Sequence, residues 1–395
     1  MGSDGSSTGT ARTTRPDVAR IYLSAPHMGD LEATYVKEAF DTNWLSSVGP
    51  NLDAFEAALE ELVGAPTCAL TSGTAAMHLG LRAMGVGPGD IVLCPSLTFV
   101  ASVNPALYLG ARPVFLDSER RSWNLDPNVL EDALRALAER GQRPAALVVV
   151  HLYGQSADLD AILPLAERFG VPVLEDAAEA LGTLHRGRQV GALADVGALS
   201  FNGNKIITTT GGGAITSRDR SVIDRARFWS TQARDPGVAY EHSELGYNYR
   251  MSNVLAGIGR GQLSVLSERV KQRRRIAFAY RDAFADLDGL ELMPQADWGL
   301  HTNWLSVFSV DEARLGVSRD ALIAALARED IEARPAWKPM HLQPLFADAE
   351  RFGGSVAEEV FANGICLPSS SFLTDADLDR VTGTVRAAVE GGARA

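Results

Sequence analysis

From about Thr67 onward, short apolar runs alternate with stretches whose apolar residues recur at helical spacing. The pattern predicts helix 75–84, strand 91–94, helix 98–109, strand 113–116, helix 127–140 and strand 146–150. It continues with helix 159–169 and strands 172–174, 198–201 and 214–216. This rhythm predicts an α/β fold with a mostly parallel sheet covered by helices, since parallel strands need crossover helices and are buried on both faces. After Met251 a long helical stretch, 252–286, leads into strand-like 304–310 and helix-like 319–329. The expected organisation is a flexible tail over 1–18, a large domain over 19–265 and a smaller C-terminal α+β domain over 266–395.

Composition narrows the classes. A chain of 395 residues, 46% hydrophobic and 22% charged, suits an ordinary globular protein of about two domains. The formal net charge of -12 disfavours broad nucleic-acid binding, because phosphate backbones attract basic surfaces. The densest basic run, Lys271 to Arg275, is expected to be a solvated helix face. Cys68, Cys94 and Cys366 are scattered without CxxC spacing, and the seven histidines form no HExxH pair. Neither a disulfide framework nor a catalytic metal is expected. Residues 1–15, rich in Ser, Thr and Gly, lack the apolar core of a signal peptide, and no run of about 18 apolar residues occurs. No membrane partner is expected, and the compartment suggested is the reducing cytoplasm.

Three local features carry chemistry. Thr71-Ser72-Gly73-Thr74 precedes a helix and supplies small residues and hydroxyls where an anion can meet free amides and the helix dipole; alone, it reads equally as an N-cap. The run Val171 to Ala178 ends an apolar strand on Glu175 and Asp176, at the strand end where open α/β sheets place ligands; alone, such an acid reads as a cap or surface group. Lys205 follows Ser200-Phe201-Asn202-Gly203-Asn204 and precedes Thr208-Thr209-Thr210-Gly211-Gly212-Gly213, a small polar setting in which a desolvated lysine can become a nucleophilic amine. In this order they are the parts a pyridoxal 5'-phosphate (PLP) site requires.

The segments TSGTAAMHLGLRAMGVGPGDIV, PSLTFVASVNP, HLYGQ, EDAAEALGT, SFNGNKIITTTGGGAI, STQAR and ELGYNYRMSNVLAGIG carry a resemblance over nearly all residues from Ile21 onward. The chain resembles the fold-type I, PLP-dependent sugar-nucleotide aminotransferases of the DegT/StrS group. That resemblance implies a three-layer aminotransferase fold, Lys205 as the Schiff-base lysine and general acid/base, and Asp176 as partner of the pyridinium nitrogen. It implies Gly73, Thr74 and Ser200 on the cofactor phosphate, Phe99 stacked on the ring, and Glu179 near the phenolic oxygen, with Glu179 read as one helical turn beyond Asp176. It further implies a homodimer with shared active sites, in which the loop Gly246 to Arg250 brings Asn248 to the neighbouring subunit's phosphate and Arg250 to substrate.

Narrower signals, Ile21 to Gly29, Asp41 to Trp44 and Arg334 to His341, resemble the branch that aminates UDP-4-keto-6-deoxy-N-acetylhexosamines, as in bacillosamine-type pathways. In that reading Lys338 and His341 meet a pyrophosphate, and Trp44 or Trp337 a sugar or base face. The implied function is transfer of the amino group of L-glutamate, through PLP, to the ketone of a nucleotide sugar. A GDP-linked ketosugar is an alternative, as is a non-catalytic protein that keeps the fold. Two other rivals fail on the residues. Related sugar dehydratases have a histidine where Lys205 stands, and the glycines Gly85, Gly87 and Gly89 precede a strand, whereas a dinucleotide fingerprint follows one.

Overall fold

The computed structural model describes residues 19–392, so the expected tail over 1–18 lies outside the described residues. The strands are β1 (Thr67–Leu70), β2 (Ile91–Pro95), β3 (Arg112–Leu116), β4 (Ala146–Val150), β5 (Val173–Asp176), the short β6 (Leu184–His185) and β7 (Arg188–Gln189), β8 (Val196–Ser200) and β9 (Gly213–Thr216). Beyond these come β10 (Leu290–Leu292), β11 (Gly299–Leu300), β12 (Ser306–Val310), β13 (Arg334–Pro335), β14 (Arg351–Phe352) and β15 (Gly364–Leu367). An eight-stranded sheet runs in the order β1-β9-β8-β5-β4-β2-β3-β14. Only β9 is reversed in it: its pairs with β1 and β8 are antiparallel and every other pair is parallel.

Strand residues alternate between two apolar layers. Leu93, Val114, Leu147 and Val173 face a core shared with Leu130, Leu134 and Ile162 of helices Pro127–Glu139 and Leu159–Arg168. Val92, Phe115, Val148 and Leu174 face the other core, with Ala76, Met77 and Leu79 of helix Gly73–Ala83. The result is three layers, helices over both sides of a buried sheet. Gly80 lets the helix approach closely: a Cβ there would stand 2.6 Å from Leu174 Cδ1.

A second sheet, β10-β12-β15-β13, packs with helices Leu266–Ala283, Arg319–Arg328 and Asp375–Gly392 around a separate core that includes Phe284, Phe308, Leu326 and Val381. The two regions are stitched together. Ile21 bridges Ile331 and belongs to the second core, while β14, late in the chain, adds an edge to the first sheet beside β3.

Two predicted helices differ from those observed. Segment 98–109 breaks into the 3₁₀ turn Val100–Ser102 and helix Asn104–Tyr108, because Pro105 can sit only in a first helical turn. Segment 252–286 divides into Asn253–Ser264 and Leu266–Ala283 at Val265, whose φ of -111° and ψ of 7° leave helical geometry. The basic run also differs from expectation. Arg273 is fully buried, Arg274 donates to the His301 carbonyl, and Arg275 binds Asp375 and the Leu373 carbonyl, so these side chains tie down neighbouring loops while Lys271 and part of Arg275 stay solvated. No helix among the described residues is long and apolar enough to cross a membrane.

Candidate active site

The carboxyl ends of β1, β2, β4, β5 and β8 open onto one crevice, and reversal of β9 brings its amino end there too. The cavity holds about 310 Å³, and its walls include Gly73, Thr74, Phe99, Asp176, Glu179, Ser200, Lys205 and Trp337. This is where sheets of this kind bind ligands.

Its floor begins at β1. Ser72, in extended conformation, caps helix Gly73–Ala83 by accepting from Ala75 N at 3.0 Å. The Gly73 and Thr74 amides, which precede Ala75, have no intrahelical carbonyl to meet, and the helix points its N-terminal dipole into the cavity. Gly73 is packed so closely on β8 that a Cβ would lie 2.9 Å from Ser200 Cβ, which keeps Ser200 beside the helix start.

At the end of β5, successive residues take opposite faces. Glu175 turns into the protein, where it accepts from His151 Nε2 and from the amides of Gly191, Leu193 and Ala194. Asp176 turns into the cavity. Its Oδ2 accepts from Ser102 Oγ at 2.6 Å and its Oδ1 from Ala178 N at 3.0 Å, while Ser102 is held in turn by Thr98 at 2.7 Å.

Lys205 sits on the loop between β8 and β9. Its Nζ lies 3.8 Å from Glu179 Oε1 and 4.1 Å from the centroid of the Trp304 ring. Burial lowers the Lys205 pKa, opposed by Glu179 and Asp176 and assisted by Arg273; burial likewise raises Glu179, opposed by Lys205. Both shifts favour the neutral forms, and a neutral amine is the nucleophilic one. Glu179 reaches the cavity from a turn, not from the helical turn expected, and its Oε2 is fixed by Tyr153 N at 2.7 Å. Tyr153 has a φ of 54°, and its hydroxyl accepts from Trp337 N at 2.8 Å. Trp337 stands between Tyr153 and Phe99, with centroid separations of 5.8 and 5.7 Å. Phe99 is half exposed and presents its ring at the rim.

Other expected site residues do not line this cavity. Trp44 and Lys338 are exposed away from its walls, and Asn248 is exposed on a backbone bridge to Thr231. His341 has both ring nitrogens engaged, with Ser96 Oγ at 2.5 Å and Glu358 Oε1 at 3.0 Å, leaving none for a pyrophosphate. Arg250 is buried, and its Nη1 is bound to Glu56 and to the Ala69 carbonyl, so its charge is held in an internal pair. Three contributors were not foreseen: Ser102, Tyr153 and Trp304. The sequence signal was weak, since Ser102 lies in an apparently uniform helix and Trp304 in an apparent strand. In the fold Trp304 precedes β12 and follows Asn303 at φ 53°. Among the described residues no group of three or more His, Cys, Asp or Glu side chains is placed to hold a metal ion.

A desolvated lysine, a buttressed strand-end carboxylate and a free helix start around one cavity, on a three-layer α/β fold, are the parts of a PLP-dependent enzyme. Residues 26–386 match the DegT/DnrJ/EryC1/StrS aminotransferase family, and the chain belongs to it. It is 50% identical over 367 residues to EpsN of Bacillus subtilis (strain 168), which carries the name of a pyridoxal phosphate-dependent aminotransferase; the match covers 92% of this chain and 94% of that one. It is 41% identical to the GDP-perosamine synthase of Caulobacter vibrioides, over 92% and 97% of the two chains. Among solved structures, the aminotransferase TlmJ from Streptoalloteichus hindustanus superposes with a TM-score of 0.85 at 31% identity, covering 94% of this chain and 99% of its own.

Proposed function

We propose that this enzyme transfers the amino group of L-glutamate to the ketone of a nucleotide-linked 4-keto-6-deoxy sugar, with a UDP-4-keto-6-deoxy-N-acetylhexosamine as the acceptor. The observation that carries the reading is the meeting of Lys205, Asp176 and the Gly73 helix start in one cavity. The donor set fits PLP. Amides at Gly73 and Thr74 with the Ser200 hydroxyl suit a phosphate, Asp176 suits a protonated ring nitrogen, and the Phe99 face suits stacking, worth roughly 0.5 to 1.5 kcal/mol beyond burial. When bound, PLP supplies the electron sink that lets an amino group exchange for a carbonyl oxygen.

In this reading the protein holds and moves protons. Lys205 Nζ takes a proton from the carbon bearing the amino group of the donor and later delivers one to the sugar carbon; positioned proton transfer of this kind contributes about 10² to 10⁴ in rate. Asp176, kept in place by Ser102 and Ala178, stabilises positive charge on the ring nitrogen. Glu179, 3.8 Å from Lys205 Nζ, steadies that nitrogen and would lie on the side of the cofactor's phenolic oxygen. Asn248, exposed outside its own cavity, serves the site of a second copy, which makes the working unit a homodimer. The apolar side chains of Phe40, Trp44, Leu45 and Val48, all exposed in one short segment, support burial against another subunit.

A GDP-linked acceptor is the second reading, favoured by the Caulobacter relative's name. The pyridoxamine form, mixed with UDP- and GDP-linked 4-ketosugars, separates the two. Restoration of the PLP spectrum by the UDP-N-acetylhexosamine ketone supports the first reading, and restoration only by GDP sugars the second. Response to keto acids alone would remove sugars from the proposal.

A further inference from the structure

Arg273, on helix Leu266–Ala283, is only 1% exposed. Nη1 donates to the Trp304 carbonyl and Nη2 to Ser24 Oγ at 3.1 Å, while Nε is buried without a partner. Among the described residues no carboxylate pairs with it. Burial, aided by Arg269, pushes its pKa down to about 9, so it still carries charge at neutral pH. An unneutralised buried cation is costly, and a fold that keeps one needs a reason.

Both of its acceptors lead to the same place. Ser24 Oγ donates to the Asn204 carbonyl at 2.6 Å, and Trp304 Nε1 donates to that carbonyl at 2.8 Å. The Trp304 ring lies against Lys205 Nζ. The peptide bond leading into Lys205 is therefore gripped twice by groups that Arg273 holds.

We propose that Arg273 is a positioning residue for Lys205: through Trp304 and Ser24 it clamps the peptide preceding the lysine. The inference rests on the reading of Lys205 as the reacting amine. Two carboxylates, Glu179 and Asp176, favour a proton on that nitrogen, and burial and Arg273 oppose it. Arg269 and His27 are the other titratable groups coupled to Arg273. With its charge removed, the balance tips toward the carboxylates.

The test uses the full chain loaded with PLP, with its absorbance titrated from about pH 5 to 10, for the parent and for R273Q, R273K and S24A. R273Q should raise the midpoint by about one unit, roughly tenfold in proton affinity, and R273K should restore it. S24A keeps the charge and loosens the clamp, so its midpoint stays while capture of added PLP slows several-fold. An R273Q midpoint equal to the parent's, or equal shifts in R273Q and R273K, overturns the electrostatic role. Should R273Q fail to fold, unchanged capture by S24A overturns the clamp. Borohydride labelling of the parent separates the premises: a label away from Lys205 defeats the cofactor reading itself, whereas a label on Lys205 with unchanged variants defeats only the role of Arg273.

Discussion

Replacing Glu175 by Gln should destabilise the protein strongly while leaving the reacting groups in place. Glu175 Oε1 accepts from Leu193 N at 2.5 Å and Ala194 N at 2.6 Å, and Oε2 from Gly191 N at 2.7 Å and His151 Nε2 at 3.0 Å. His151 cannot relieve the change by moving its proton, because its Nδ1 already accepts from Ala157 N. A glutamine keeps one oxygen and turns an amide NH₂ against two of those donors. Two charge-assisted bonds are lost, each worth about 1.5 to 3 kcal/mol, so a cost of about 3 kcal/mol or more is expected. At about 1 to 2 °C per kcal/mol for a chain this long, Tm should fall by about 3 to 6 °C at pH 7. Burial raises the Glu175 pKa, but the hydrogen bond from His151 and those from the backbone amides outweigh it and leave the group below its ordinary value. A carboxylate lowered on folding stabilises above its unfolded pKa, and the benefit disappears as pH falls through the folded one. The gap between parent and variant, read by thermal melts from pH 7 downward, should therefore be full at pH 7 and shrink below about pH 4. An E175Q protein that melts with the parent at pH 7, or a gap that ignores pH, would refute the assignment of this residue to the scaffold.

Further outcomes follow from the same geometry. Lys205→Ala should abolish amino transfer while Tm stays near the parent's; residual turnover in a clean preparation would end its role as the proton carrier. Gly73→Ala drives a Cβ toward Ser200 Cβ and should weaken PLP retention at least tenfold, as read by equilibrium dialysis; unchanged affinity would move the phosphate elsewhere. Arg250→Gln breaks a buried ion pair with Glu56, at a cost of about 3 kcal/mol, without altering KM for the ketosugar. A raised KM at unchanged stability would return Arg250 to the substrate.

The sheet was legible because its strands are buried on both faces and stand out as apolar runs between helical patterns. β5 runs two residues further than its apolar core predicts, since Glu175 and Asp176 do not look like strand residues. Which of them enters the cavity is a matter of register, invisible without the pleat. Lys205 and the Gly73 helix start could be found from their small polar neighbours, but Ser102, Tyr153 and Trp304 act through contacts between residues far apart in the chain. Arg273 was hidden for another reason: a cluster of like charges normally points to water, and only the packing of its helix against Ser24 and Trp304 places it inside. At His341 both ring nitrogens, and at Arg250 the Nη1 group, are held by internal partners that a motif does not reveal.

The exchange of edges between the two regions bears on engineering. β3 takes β14 as its outer neighbour, and residues near Ile331 take Ile21 as theirs, through backbone bonds in both directions from Ile21 to Asp330 and Glu332. Fragments divided at residue 265 would each be born with an unpaired margin and an orphaned apolar side chain. Chimeras that graft a relative's carboxyl-terminal half to change sugar preference should therefore carry matched versions of 21–25 and 351–352, or the hybrid will trade selectivity for aggregation.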